Sequence, residues 1–170
     1  GVTMHDDKTH WTATFITSDR SHADEGRPAP YFRTEFEVSE GVIGARLAVT
    51  GIGVVEAHLN GTVVGDEVLC PGWTSYDHRL LVSEHDVTDL LRVGRNAIGA
   101  IAGEGWAVGR IGLARRRNRW GDRPAVLLQL EIRYPNRTET VTTDGTWRTS
   151  TGAFLADGIY DGEVYDARLE

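Results

Sequence analysis

Residues 115 to 122 read RRRNRWGD, with Arg115, Arg116, Arg117 and Arg119 clustered around Asn118, Trp120 and Asp122. Four guanidiniums in five positions suit phosphate, which raises nucleic acid as a partner. The rest of the chain argues otherwise. Its formal net charge is -7 and its sequence pI is near 5.4, whereas a polyanion is gripped by a basic surface extending over many contacts. The arginines are therefore read as a solvated loop, or one paired with acidic protein surface. Nucleophilic chemistry has little to work with. Cys70, in EVLCPGW, has no histidine at motif spacing, and there is no G-x-S-x-G. His5, His10, His22, His58, His78 and His85 are scattered without metal-ligand spacing. The nearest approach to paired acids is Glu163 and Asp166 in GEVYDAR. In a strand, a separation of three puts them on opposite faces, so they are expected to hold that end of the domain through hydrogen bonds and pairing with Arg168.

These side chains must be presented by a fold that 170 residues can build as one domain with a single core. Cys70 is the only cysteine, which excludes an intrachain disulfide and leaves the redox compartment open. Twenty glycines exceed the ordinary share and call for many tight turns. No run of eighteen apolar residues occurs and the first residues, GVTMHDDKTHW, lack a signal-peptide layout, so a soluble chain of open localisation is expected. Seventeen arginines against the single Lys8 point to a GC-rich, bacterial source.

Residues 1 to 30 are polar and aperiodic apart from Trp11, Ala13 and Phe15, and read as a lead-in arm; residues 31 to 170 read as the folded module. YFRTEFEV places Phe32, Thr34, Phe36 and Val38 on one side and Arg33, Glu35 and Glu37 on the other, the period of a half-buried strand. Ala45, Leu47 and Val49 alternate likewise, and a further strand ending at Leu59 runs into Asn60-Gly61, a strong hairpin signal. More strands are expected over 79–82, 96–103, 125–134, 138–144 and 159–169, with Trp147 in the core. One short helix of about two turns is expected in DVTDLLRVG, capped by Asp86 and left through Gly94. Many short strands separated by turns make an all-β sandwich.

The series LNGTVVGD…PGWTSY, DVTDLLRVGRNAI and the final GEVYDAR resembles the N-terminal, non-catalytic β-sandwich module of bacterial α-L-rhamnosidases of glycoside hydrolase family 78, over a stretch from about Trp11 onward. The resemblance implies a jelly-roll, galactose-binding-like fold. It also implies a parent enzyme whose catalytic (α/α) barrel lies further along, so that this chain is an excised module and Gly1 a cloning remnant. Inverting glycosidases need two opposed carboxyl groups with room for a water, and Glu163 with Asp166 does not supply them. The isolated module is expected to be inactive, with the barrel and other domains of the parent as its partners.

A pyranose offers an apolar face to an aromatic ring and a hydroxyl rim to paired polar groups. The loops carry that equipment in Trp73 with Tyr76 and Asp77, Trp106 with Glu104, and Asn118 with Trp120 and Asp122. Each ring can equally close an end of the core. Some modules of this type hold rhamnose through calcium; Asp122 and Asn118 are the available ligands, and the adjacent arginines repel a divalent ion. Two functions follow: structural support of the catalytic barrel, or autonomous, calcium-assisted binding of L-rhamnose.

Overall fold

A computed structural model describes residues 10–18, 28–110, 118, 120–160 and 162–169. Its strands are β1 (Ile16–Thr17), β2 (Pro30–Val38), β3 (Gly44–Ile52), β4 (Val54–Leu59), β5 (Thr62–Val63), β6 (Ser83–Asp86), β7 (Gly94–Gly103), β8 (Ala125–Arg133), β9 (Thr138–Thr142), β10 (Arg148–Thr151), β11 (Phe154–Gly158) and β12 (Gly162–Tyr165). The one α-helix among the described residues, α1, is Gly105–Val108. A back sheet runs β1-β8-β3-β6 with β9 also on β8, a front sheet runs β10-β2-β7-β4-β5, and β11 and β12 form a separate hairpin. All pairings are antiparallel, and the sheets enclose the core of a jelly-roll β-sandwich.

Alternation decides which side chains meet. From the front sheet come Phe32, Leu59 and Ile98; from the back come Leu47, facing Leu130, and Val49, facing Leu128. Leu47, Leu128 and Leu130 are wholly buried, and truncating such a side chain to Ala costs about 2–5 kcal/mol. The back sheet is covered on its outer side as well, since Ala48, Leu127 and Gln129 there are also buried. His10 and Thr12 reach that side. The Gln129 side chain accepts a hydrogen bond from the Thr12 N–H (2.9 Å) and donates one to the His10 carbonyl (3.1 Å), which satisfies a buried amide that would otherwise be costly.

Four local expectations change. RLLV, 79–82, is not a strand; pairing with β3 begins at Ser83, opposite Val49, and Leu81 instead accepts the Thr50 hydroxyl at 2.7 Å on its carbonyl. DVTDLLRVG forms a single 3₁₀ turn, Thr88–Leu90, rather than two α-helical turns. Asp86 is not its N-cap, which is Val87 and has no side-chain cap; from one residue earlier Asp86 accepts from the Thr88 N–H (3.0 Å) and hydroxyl (2.6 Å). What stops the helix is Asn96, whose buried amide accepts from the Arg92 N–H and donates to the Arg92 and Gly94 carbonyls, bending the chain into β7 with Gly94 at φ +92. The α-helix appears instead at 105–108, and the final stretch is a hairpin, β11–β12, followed by a 3₁₀ turn over Ala167–Leu169. Trp147 is buried as expected, its indole N–H donating to the Thr142 carbonyl at 2.8 Å.

Candidate functional site

Three of the aromatic side chains meet at one place. Beyond the buried Pro71, residues 75–79 turn through hydrogen bonds from the His78 and Arg79 N–H groups to the Ser75 carbonyl, which brings Trp73 and Tyr76 round together. Trp120 reaches them from the opposite loop. Its N–H donates to the Ala107 carbonyl and that of Asn118 donates to the Val108 carbonyl, so both residues are pinned to α1, Asn118 at φ +57. The Trp120 ring lies 6.4 Å from Trp73, edge on, and 5.4 Å from Tyr76. Trp73 stays 57% exposed, while the Tyr76 hydroxyl is buried without a hydrogen-bond partner among the described residues. Burial pushes the Tyr76 pKa up, so it remains a neutral phenol.

The other proposed side chains are placed differently. Trp106 is half-buried on α1, next to the carbonyls that hold Asn118 and Trp120. Glu104 is 1% exposed at the start of that helix, where the Asp157 carboxylate accepts its N–H at 2.8 Å. Asp77, Asn118 and Asp122 are exposed, and Asp122 pairs with Arg123 at 3.6 Å. Calcium needs six to eight oxygens, several of them carboxylates. Among the described residues no three His, Cys, Asp or Glu side chains gather, and Asp122 is already committed to a cation, so this site does not fit the ion. Arg115, Arg116, Arg117 and Arg119, with His5 and His22, lie outside the described residues. Asp166 grips Arg168 through both oxygens, at 2.8 and 2.6 Å, and those bonds hold its pKa below the usual carboxylate range.

Two concavities went unread in the sequence, because their walls come from strands far apart along the chain. One, of about 580 Å³, lies between Glu67–Cys70, the front sheet at Val54 and Glu56, and the β11–β12 hairpin at Asp157 and Glu163. Three of its four acids are engaged: Glu56 with His58 at 2.7 Å, Glu67 with the Cys70 thiol at 3.7 Å, and Asp157 with the Glu104 N–H; the fourth, Glu163, is exposed. Burial pushes the Cys70 thiol pKa up, and the Glu67 charge adds to it. The other, a groove of about 550 Å³, runs over the outer face of the front sheet. A Tyr31, Arg33, Arg148 wall bounds it on one side and His58 on the other, with Gly99 and Ala97 on the floor.

Residues 40–170 match the sequence profile of the alpha-L-rhamnosidase N-terminal domain. The chain is 37% identical to an alpha-L-rhamnosidase of Streptomyces avermitilis over 172 residues, spanning 96% of this chain and 17% of that protein. It superposes on native alpha-L-rhamnosidase from Aspergillus terreus with a TM-score of 0.90 at 40% identity, covering 95% of this chain and 19% of that one. The Streptomyces avermitilis structure complexed with L-rhamnose gives 0.83 at 39% identity, covering 85% and 14%. The chain thus spans less than a fifth of the length of each.

Proposed function

The chain belongs to the alpha-L-rhamnosidase N-terminal domain family, and from that premise we propose that it is a non-catalytic accessory domain that braces the catalytic barrel of a rhamnoside-cleaving enzyme. One observation carries this reading. The last eleven residues expose Tyr160 (64%), Val164 (55%), Tyr165 (45%) and Leu169 (53%), and the facing loop exposes Val68 (86%) and Leu69 (49%). Val68 and Leu69 line one wall of the larger concavity and Gly162 and Glu163 the other, with the exposed Tyr160, Val164 and Tyr165 next to them along the chain. A domain working alone has no reason to leave such a patch in water, whereas a domain packed on a larger body does. Of the carboxylates nearby, Glu56, Asp157 and Asp166 are taken up by neighbours, which leaves Glu163 without an opposed acid and suits bracing better than bond cleavage.

The test uses the full-length enzyme. Val68→Asp with Val164→Asp should lower its thermal midpoint and its activity, while the same pair should leave the isolated 170-residue chain as stable as before. Unchanged stability and activity of the full-length variant would refute the bracing role.

A second reading has its own observation. The Trp73 ring is exposed beside Trp120, an arrangement able to stack a sugar ring. On this reading the module binds L-rhamnose by itself. Tryptophan fluorescence should then change saturably with L-rhamnose, with or without calcium, and Trp73→Ala should abolish the change; a flat titration rejects it.

A further inference from the structure

We propose that the outer face of the front sheet is a binding site for an anionic saccharide, with its acid group held by Arg33 and Arg148. Cross-strand register brings these side chains together. Arg148 stands opposite Arg33, Arg33 opposite Gly99, and Gly99 opposite His58, so the four form one row across β10, β2, β7 and β4 on the same face. The next row is Ser150, Tyr31, Ile101 and Glu56. Two arginines directly opposed repel each other, and a sheet selected for stability alone would separate them. Glu35 offsets only part of this charge: it pairs with Arg33 at 2.7 Å and is shared with Arg95 at 3.6 Å. Arg148 has no ion-pair partner among the described residues, in a chain whose net charge is -7. An incoming carboxylate or sulfate ester would bridge the two guanidiniums, whose planar forks suit bidentate oxyanions.

The groove beside the arginines has the shape for the rest of the ligand. Its volume of about 550 Å³ lies within the range of small-molecule sites, roughly 300–1,000 Å³. Gly99 leaves the floor bare between Arg33 and His58, and Ile101 and Tyr31 offer apolar surface to ring C–H groups. His58 and Ser150 supply hydrogen-bonding groups at the sides for hydroxyls. That the ligand is a saccharide rests on membership of a glycosidase family; that it is an anion rests on the arginine pair.

The experiment is an amide-resolved NMR titration of the 170-residue chain with D-glucuronate, D-glucose 6-sulfate, D-glucose and sodium sulfate in parallel. Saturable shifts are expected at Arg33, Gly99 and Arg148 with one or both acidic sugars, and the stronger of the two identifies the acid group. Arg148→Gln, at an exposed position, should weaken binding about tenfold, whereas Arg92→Gln, outside the groove, should not. No saturable shift with either acidic sugar overturns the proposal, as does equal binding of D-glucose or an unchanged Arg148→Gln. Equal binding of sodium sulfate overturns the saccharide part and with it the proposal. None of these outcomes touches the bracing role, which is read from the β11–β12 surface in the full-length enzyme.

Discussion

Asn96 offers the sharpest test of how the 86–97 segment is held. It is 1% exposed and its amide makes four hydrogen bonds: from Asn60 Nδ2 (2.8 Å) and the Arg92 N–H (3.0 Å) to its oxygen, and from its nitrogen to the carbonyls of Arg92 (2.7 Å) and Gly94 (2.9 Å). At about 1 kcal/mol net per bond, Asn96→Ala forfeits about 4 kcal/mol. Some of this returns, because Arg92 and Gly94 lie where water can reach them and Asn60 keeps its bond to the Leu90 carbonyl. The expected loss is about 3 kcal/mol, read in urea as a lower midpoint at unchanged slope. Asn96→Asp sharpens the test. It keeps the shape but loses both donors, and a buried carboxylate facing two carbonyls has its folded pKa raised above the unfolded value of about 3.9. A raised folded pKa contributes stability that is fully present below the unfolded pKa and lost as pH rises through the folded one. The penalty of Asn96→Asp should therefore grow from about pH 4 upward and then level off. A loss below about 1 kcal/mol for Asn96→Ala, or a pH-independent Asn96→Asp, would refute the reasoning.

Gly53 sits at φ +108, where an added Cβ would strike the Gly103 carbonyl oxygen, so Gly53→Ala should yield little folded protein; Gly61→Ala, at φ +83 with open space around it, should cost only about 1 kcal/mol in the same denaturation assay. Trp147→Phe keeps an aromatic ring in the core but leaves the Thr142 carbonyl without its 2.8 Å donor, and should lower stability by about 1–2 kcal/mol, measured by thermal unfolding. With its pKa pushed up by burial, the Cys70 thiol should alkylate more slowly than a free cysteine at neutral pH, with a rate that rises at higher pH than an ordinary thiol's; free-thiol kinetics at pH 7 would contradict this.

Much of the sandwich can be read from alternation alone. YFRTEFEV separates Phe32 and Val38 from Arg33 and Glu35 in print just as β2 separates them in space, because strand geometry is local. Asn60-Gly61 makes its turn, with Asn60 at φ +53 and Gly61 at φ +83, for the same local reason. The reading failed where a distant partner decides. Residues 79–82 look like a strand, yet β3 offers its edge only to 83–86; 86–94 looks like a helix until Asn96 competes for its backbone. Among the proposed site residues, the loop aromatics were legible as types. Their meeting was not: Trp73 and Trp120 lie far apart in sequence and touch only because the Trp120 N–H is held by α1.

The amino-acid order by itself determined that the chain is a two-layered β body with one turn-rich surface, because side-chain period and turn chemistry act over a few residues. Only the tertiary structure decided which exposed groups become neighbours. Arg148 lies 115 positions beyond Arg33, and their shared row over Gly99 exists through the register of three separate strand pairings. Register is a long-range property: it is fixed when whole faces are buried together, and no local pattern encodes it.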